Sequence, residues 1–317
     1  MTELNYHKLL NTALDYYFKG EYKKGYEYID KNQNKVNGNQ AQVYNFKYTL
    51  ACKAGLIDTA MEIMKEAVIE KEYWYSKEYL LEDKDLDPLR EKKEFKEIID
   101  ICSKRETKAK INSQPELKIF KSEDSIKAEQ KRLLMALHGN QENIDITYKY
   151  WQNPPIKNNL LALPQSSMIE FSDAYSWEDI KKGTTEIKEH FDYIMNKYQI
   201  SKNDIILGGF SAGARILLEA VGEGYIIPRG LILMAPWIPD IEEKRNILDT
   251  LKKKEIKVIL LVGDKDKDCF KISKQFIELL DQYEISYKSK IINNLNHEYP
   301  ADFNNELKNA VNYFWED

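Results

Sequence analysis

Cysteine is scarce in this chain, and its placement removes two classes of protein at once. Only Cys52, Cys102 and Cys269 occur in 317 residues, an odd number, scattered, with no Cys-x-x-Cys pair. Neither a disulfide framework nor a thiolate zinc site follows from that spacing, and each thiol is expected as a buried small hydrophobe. Histidine is sparse too: four residues, none in His-x-x-x-His spacing, so no metal is expected. No stretch approaches the ~20 apolar residues of a membrane span. The start, Met1 to Lys8, lacks the basic-then-apolar order of a secretory leader, and the chain is read as cytoplasmic. Nor is there a cationic excess: the net charge is −5, with Lys and Glu interspersed, which argues against a nucleic-acid partner.

Nucleotide motifs are missing as well. Gly208 and Gly213 have the spacing of a Walker loop, but Ala214 and Arg215 stand where Lys and Ser or Thr are needed, and Gly-x-Gly-x-x-Gly cannot be laid over these residues. What the same stretch does contain is Gly209-Phe210-Ser211-Ala212-Gly213. The preceding Ile205-Ile206-Leu207 is a short apolar run of strand type, and Ala212 to Ala220 is a good helix former. Ser211 is therefore expected on a sharp strand-to-helix turn, where a side chain at 209 or 213 would clash with its neighbours.

The chain divides into two kinds of sequence. Up to about residue 106 the periodicity is helical. Tyr17 to Ile29 resembles Cys52 to Met64, with Gly20 and Gly55 35 residues apart and Gly25 aligned with Ala60. A glycine turn followed by a small residue at a close helix crossing is the logic of a stacked helical hairpin, and residues 1–106 resemble tetratricopeptide repeats, whose period is ~34 residues. A plain helical domain is the alternative. Asp85-Leu86-Asp87-Pro88-Leu89-Arg90 marks a turn into a final helix around Glu94 to Ile99. Residues 107–130 read as a polar linker, interrupted by a strand candidate at Leu117 to Phe120.

From 131 to 317, short apolar runs alternate with amphipathic helices: Leu133–Leu137, Leu160–Leu163, Asp204–Leu207, Leu231–Met234, Val258–Val262 and Tyr287–Ile292. Alternation of this kind predicts an α/β fold, a mostly parallel sheet with helices on both faces, preceded here by the all-α domain. Ligands of such sheets bind at the carboxyl ends of the strands. His138-Gly139-Asn140, Ser211, Gly263-Asp264-Lys265-Asp266 and Asn296-His297-Glu298-Tyr299 each follow a run and should gather on one sheet edge.

Residues 131–317 thus resemble an α/β-hydrolase of the phospholipase/carboxylesterase type, similar to acyl-protein thioesterases. Nucleophile, acid and histidine occur in that fold's order as Ser211, Asp266 and His297. Asp266 is preferred as the acid because it stands three residues after Gly263; Asp264 comes second and Asp268 third. His297 would serve as base. The backbone N–H groups of Ala212 and Asn140 would stabilise the oxyanion. Trp237, Tyr299 and Trp177 are candidates for the acyl pocket, which should be shallow because only one helix separates Met234 from Val258. The resemblance implies a small acyl ester or thioester substrate and no cofactor, with the helical domain shaping access or docking a protein or peptide. A serine peptidase on the same fold and a non-catalytic binding module with a relic hydrolase domain are the alternatives.

Overall fold

The computed structural model describes residues 4–122, 131–152, 154, 156 and 158–315. These fall into two compact units, one comprising Met1–Ser113 and Met168–Tyr175, the other Gln114–Ser167 and Ser176–Asp317.

In the first unit, α1 (Tyr6–Phe18), α2 (Tyr22–Asn32), α3 (Gln40–Lys53) and α4 (Ile57–Lys65) pack in chain order. The turns after α1 and α3 are equivalent, atom for atom. Gly20 N–H donates to Tyr17 O and Glu21 N–H to Tyr16 O; Gly55 N–H donates to Cys52 O and Leu56 N–H to Ala51 O. Both glycines are left-handed, φ +72° and +77°, with open space where a Cβ would stand, so backbone conformation alone demands glycine there. Gly25 answers a different need. A Cβ there would lie 3.0 Å from Leu50 and from Tyr16, which is the close crossing expected at that position.

The unit continues through α5 (Lys77–Glu82) and a 3-10 turn, Lys84–Leu89, which buries Leu86 and Leu89 completely. Arg90 ties that turn together by bonding Asp87 (2.7 Å) and the Asp83 carbonyl (2.8 Å). Helix α6 then runs from Lys93 to Asn112. The segment expected as a linker is therefore regular over much of its length: residues 107–112 continue α6, held by i,i+4 pairs such as Lys110–Glu106 (2.6 Å), and β1 covers Glu116–Lys121. Residues 123–130 lie outside the described residues.

One piece of this unit comes from elsewhere in the chain. Strands β4 (Ile169–Phe171) and β5 (Ala174–Tyr175) form a hairpin whose turn residue Ser172 is bonded on three sides. Its N–H donates to Trp74 O (3.0 Å), its Oγ accepts from Trp74 N–H (2.7 Å), and its carbonyl accepts from Asn39 Nδ2 (3.0 Å). Ile169 and Phe171 pack on the helical core.

The second unit is built on a seven-stranded sheet in the order β1-β3-β2-β6-β7-β8-β9, with β2 Arg132–Leu137, β3 Asn159–Gln165, β6 Ile205–Phe210, β7 Gly230–Met234, β8 Lys257–Gly263 and β9 Tyr287–Ile292. All neighbours are parallel except β1, which runs antiparallel to β3 along one edge. Every apolar run of the sequence is a strand. β3, β6 and β7 are buried end to end, and β2 and β8 beyond their first residue; β9 is exposed along its middle and carries Lys288 and Lys290, the cationic character that protects an open edge.

Helices α7 (Ile144–Trp151), α8 (Ile180–Tyr198), α9 (Ala212–Gly222), α10 (Arg245–Lys253), α11 (Cys269–Gln282) and α12 (Phe303–Trp315) accompany the sheet. Glycines show how two faces are used. Successive strand residues face opposite ways, and a Cβ on Gly208 would strike Trp151 of α7 while one on Gly209 would strike the backbone of Ala214 in α9. Gly230, in register with Ile206 and so on the Gly208 face, gives the same relief to Phe314 of α12.

Replacing Gly20 or Gly55 with alanine should destabilise the helical unit by about 1–2 kcal/mol each, the cost of a left-handed alanine where no contact changes. Urea denaturation of the two single variants and the double should give similar, additive losses.

Candidate functional site

Strand register fixes where the chemistry gathers. Leu137 pairs with Gly209, Phe210 with Met234 and Gly263 with Ile292, so the residues that follow β2, β6, β7, β8 and β9 all leave the same edge of the sheet.

Ser211 occupies the turn between β6 and α9 with φ 53° and ψ −121°, a conformation that a non-glycine residue adopts only when its surroundings impose it. The restraints are visible. Its N–H donates to Met234 O (3.0 Å), and its carbonyl accepts from Trp237 N–H (3.2 Å) and Ala214 N–H (3.1 Å). The flanking glycines behave as anticipated: a Cβ at 209 would enter the backbone of α9, and one at 213 would enter the His138 and Leu137 carbonyls at the end of β2.

Asp266 and His297 meet directly. The imidazole Nδ1 lies 2.7 Å from Asp266 Oδ2, and the carboxylate is 1% exposed where the histidine side chain is 33% exposed. The other carboxylate oxygen, Oδ1, accepts the N–H groups of Cys269 (2.9 Å) and Asp268 (3.2 Å) at the start of α11. Burial pushes the Asp266 carboxyl up, but the bond and charge interaction with His297, joined by those two amides, outweigh it and hold the group below its ordinary value.

Asp264 has a different task. Its Oδ1 accepts Asn294 N–H (2.7 Å), bracing the loop that carries His297, while Lys265 N–H bonds Leu295 O (3.0 Å). Gly263 permits this approach, since a Cβ there would occupy the Leu295 carbonyl. Asp268 contributes only its N–H to the arrangement.

Phe210, the chain neighbour of Ser211, stands with its ring centroid 4.7 Å from the His297 imidazole. Nothing in the sequence singled out this phenylalanine; its position beside the serine, under the histidine, emerges only from the fold.

The loop after β2 is pinned throughout. His138 is fully buried, its Nδ1 2.7 Å from Gly139 O and its Nε2 accepting Ser166 N–H (3.2 Å). Gly139 N–H donates to the buried Glu142 carboxylate (2.8 Å), a residue the sequence did not flag. Asn140 Oδ1 accepts Trp177 N–H (2.8 Å). The N–H groups of Asn140 and Ala212 meet no acceptor among the described residues.

Of the three aromatic residues expected to line a pocket, one is open to solvent. Trp237 is 37% exposed, on the segment bonded to the Ser211 carbonyl. Tyr299 and Trp177 are each 1% exposed and do not form a pocket wall. Tyr299 lies among Tyr150, Phe210 and Phe303, its hydroxyl accepting Trp151 Nε1–H (3.1 Å); Trp177 stacks on His138 and donates its indole N–H to the His138 carbonyl (2.8 Å). Gly208 and Gly139 leave space for Trp151 and Phe210, the rings against which Tyr299 is held.

Asp266, Cys269 and His297 offer an oxygen, a sulfur and a nitrogen within 4.8 Å of one another, a set of metal-ligand type. Both Asp266 oxygens and the imidazole Nδ1 are already paired inside the protein. His7 and His190 lie within α1 and α8.

A family model described as "A/B hydrolase-like, N-terminal domain" matches residues 5–110. No curated protein matches the chain. Among solved structures, an uncharacterized protein from Bacillus cereus ATCC 10987 is 40% identical over 99% of this chain and 100% of its own, with a TM-score of 0.58. Esterase PE8 is 15% identical, covering 63% of this chain and 99% of its own, with a TM-score of 0.51, and shares the fold of the sheet-containing unit.

His138 makes the stability of this unit depend on pH. Burial lowers its pKa from 6.5 to about 4, against the opposing pull of the Gly139 carbonyl and Glu142. The unfolded chain binds this proton near pH 6.5 and the folded chain only near 4, so the unfolded state holds more protons between those values and stability falls as pH falls. For this one group the loss amounts to about 3 kcal/mol over that interval, with no further loss below it. Urea denaturation across pH 4–6.5 should show this slope, and His138→Asn should flatten it.

Proposed function

The chain belongs to the α/β hydrolases that carry a helical N-terminal domain, and on that footing we propose that it is a serine hydrolase cleaving carboxylic esters or thioesters through an acyl-enzyme on Ser211. The observation that carries this reading is the 2.7 Å bond between Asp266 and His297, whose imidazole packs on Phe210, the residue before a serine held in a strained strand-to-helix turn. His297 takes the Ser211 proton at Nε2 as Oγ attacks the acyl carbon, because Nδ1 is committed to Asp266. The carboxylate fixes that tautomer and stabilises the imidazolium; its depressed pKa keeps it ionised for the purpose. The proton then passes to the leaving alkoxide or thiolate, and a water activated by the same histidine releases the acid.

The Ala212 and Asn140 N–H groups, neither spent on a protein acceptor, receive the oxyanion. Trp237 offers an exposed apolar face to the acyl group. No cofactor enters these steps. The three cysteines are free, in keeping with a reducing, cytoplasmic setting. Tetratricopeptide-like packing of α1 to α4 suits the helical unit to a protein or peptide partner.

Treatment with a fluorophosphonate followed by intact-mass measurement should give a single adduct on Ser211, absent from Ser211→Ala and His297→Ala. Hydrolysis of short acyl esters should fall by on the order of 10³–10⁴ in Asp266→Asn and be lost in Ser211→Ala, whereas Asp264→Asn should cost no more than about tenfold, the loss of one loop brace. No adduct on the folded parent would favour a binding module. Adduct formation with amide cleavage but no ester turnover would favour the peptidase.

A further inference from the structure

We infer that Trp177 is a positioning residue for the oxyanion-binding loop, acting through His138 to set the direction of the Asn140 N–H. The inference rests on the reading of Asn140 as an oxyanion donor. Trans peptide geometry supplies the logic: the C=O of one residue and the N–H of the next share a plane and point in opposite directions. Fixing the Gly139 carbonyl therefore fixes where the Asn140 N–H is aimed. That carbonyl lies 2.7 Å from His138 Nδ1, and the Ser166 N–H on Nε2 makes Nδ1 the protonated nitrogen, so the ring donates to Gly139 O.

The orientation of the His138 ring thus decides the outcome, and Trp177 holds that ring. Their planes stack at 4.7 Å and 27°. The indole Nε1–H donates to the His138 carbonyl (2.8 Å), the same carbonyl against which Gly213 of α9 closes without a side chain. The Trp177 backbone N–H then takes Asn140 Oδ1 (2.8 Å), keeping the amide side chain off its own backbone N–H. With Gly139 N–H bound to Glu142, Asn140 presents the first N–H of this loop that lacks a protein acceptor. One tryptophan contributes a stack and two hydrogen bonds to His138 and Asn140, the residues on either side of Gly139.

Trp177→Phe keeps a ring on His138 and removes the indole donor. Because the oxyanion develops only after attack, kcat for an acyl ester should fall roughly ten- to a hundredfold with KM changed less than about twofold. A trifluoromethyl ketone provides a second readout. Ser211 Oγ adds to its carbonyl carbon, the serine proton moves to His297 Nε2, and the carbonyl oxygen becomes the oxyanion; its Ki should rise by the same factor as kcat falls. Asn140→Ala cuts the other bond and should show the same split, and it decides the matter if the Phe variant does not fold. Parental kcat and Ki in the folded Phe variant, or kcat, KM and thermal stability falling together, would overturn the inference. A parent that forms no fluorophosphonate adduct on Ser211 would instead remove the hydrolase reading beneath it.

Discussion

The arrangement depends on backbone meeting backbone where the strands end. Gly213 closes on the carbonyls of Leu137 and His138, Gly209 on the first turn of α9, and Gly263 on the carbonyl of Leu295. At each place a single methyl group would occupy the position of a main-chain atom, which cannot move aside as a side chain can. These contacts set the spacing between the loops that follow β2, β6, β8 and β9. The strained serine follows from the same constraint, because a turn so tight leaves its central residue no ordinary conformation.

Electrostatic economy accompanies this closeness. Asp266 uses one oxygen to complete the start of α11 and the other to hold His297, so the carboxylate is paid for twice within the protein and needs no water. His138 and His297 show how one side-chain type is put to different ends. The first is sealed, neutral and structural; the second is open on one side and paired with an acid.

Much of this was legible in the sequence. Six apolar runs became parallel strands because buried strands leave uninterrupted aliphatic stretches, and the glycines flanking Ser211 and those at 20 and 55 announce turns with specific geometric demands. Asp266 was separable from Asp264 only as a preference, since spacing cannot say which carboxylate turns toward the histidine. The aromatic residues were read less well. Trp177 and Tyr299 follow strands like pocket residues do, but both rings are covered by partners distant in sequence, His138 for the first and Tyr150 and Phe210 for the second. Phe210 acts on His297, far away in sequence, and Glu142 on the Gly139 N–H through a loop geometry that no spacing rule announces. The hairpin at 169–175 was invisible because strands of two and three residues carry no periodicity. The polar stretch after 106 hid the end of α6 because an exposed helix held by Lys–Glu pairs has the composition of a linker.

That hairpin bears on how such a protein could arise and be taken apart. The core of the helical unit is completed by Ile169 and Phe171, encoded beyond the entire stretch Gln114–Ser167 that belongs to the other unit. Joining two finished genes end to end would not produce this interleaving, and a recombination breakpoint or protease cut anywhere in 114–167 divides the helical core as surely as one inside it. Neither unit is encoded by one uninterrupted stretch of the chain.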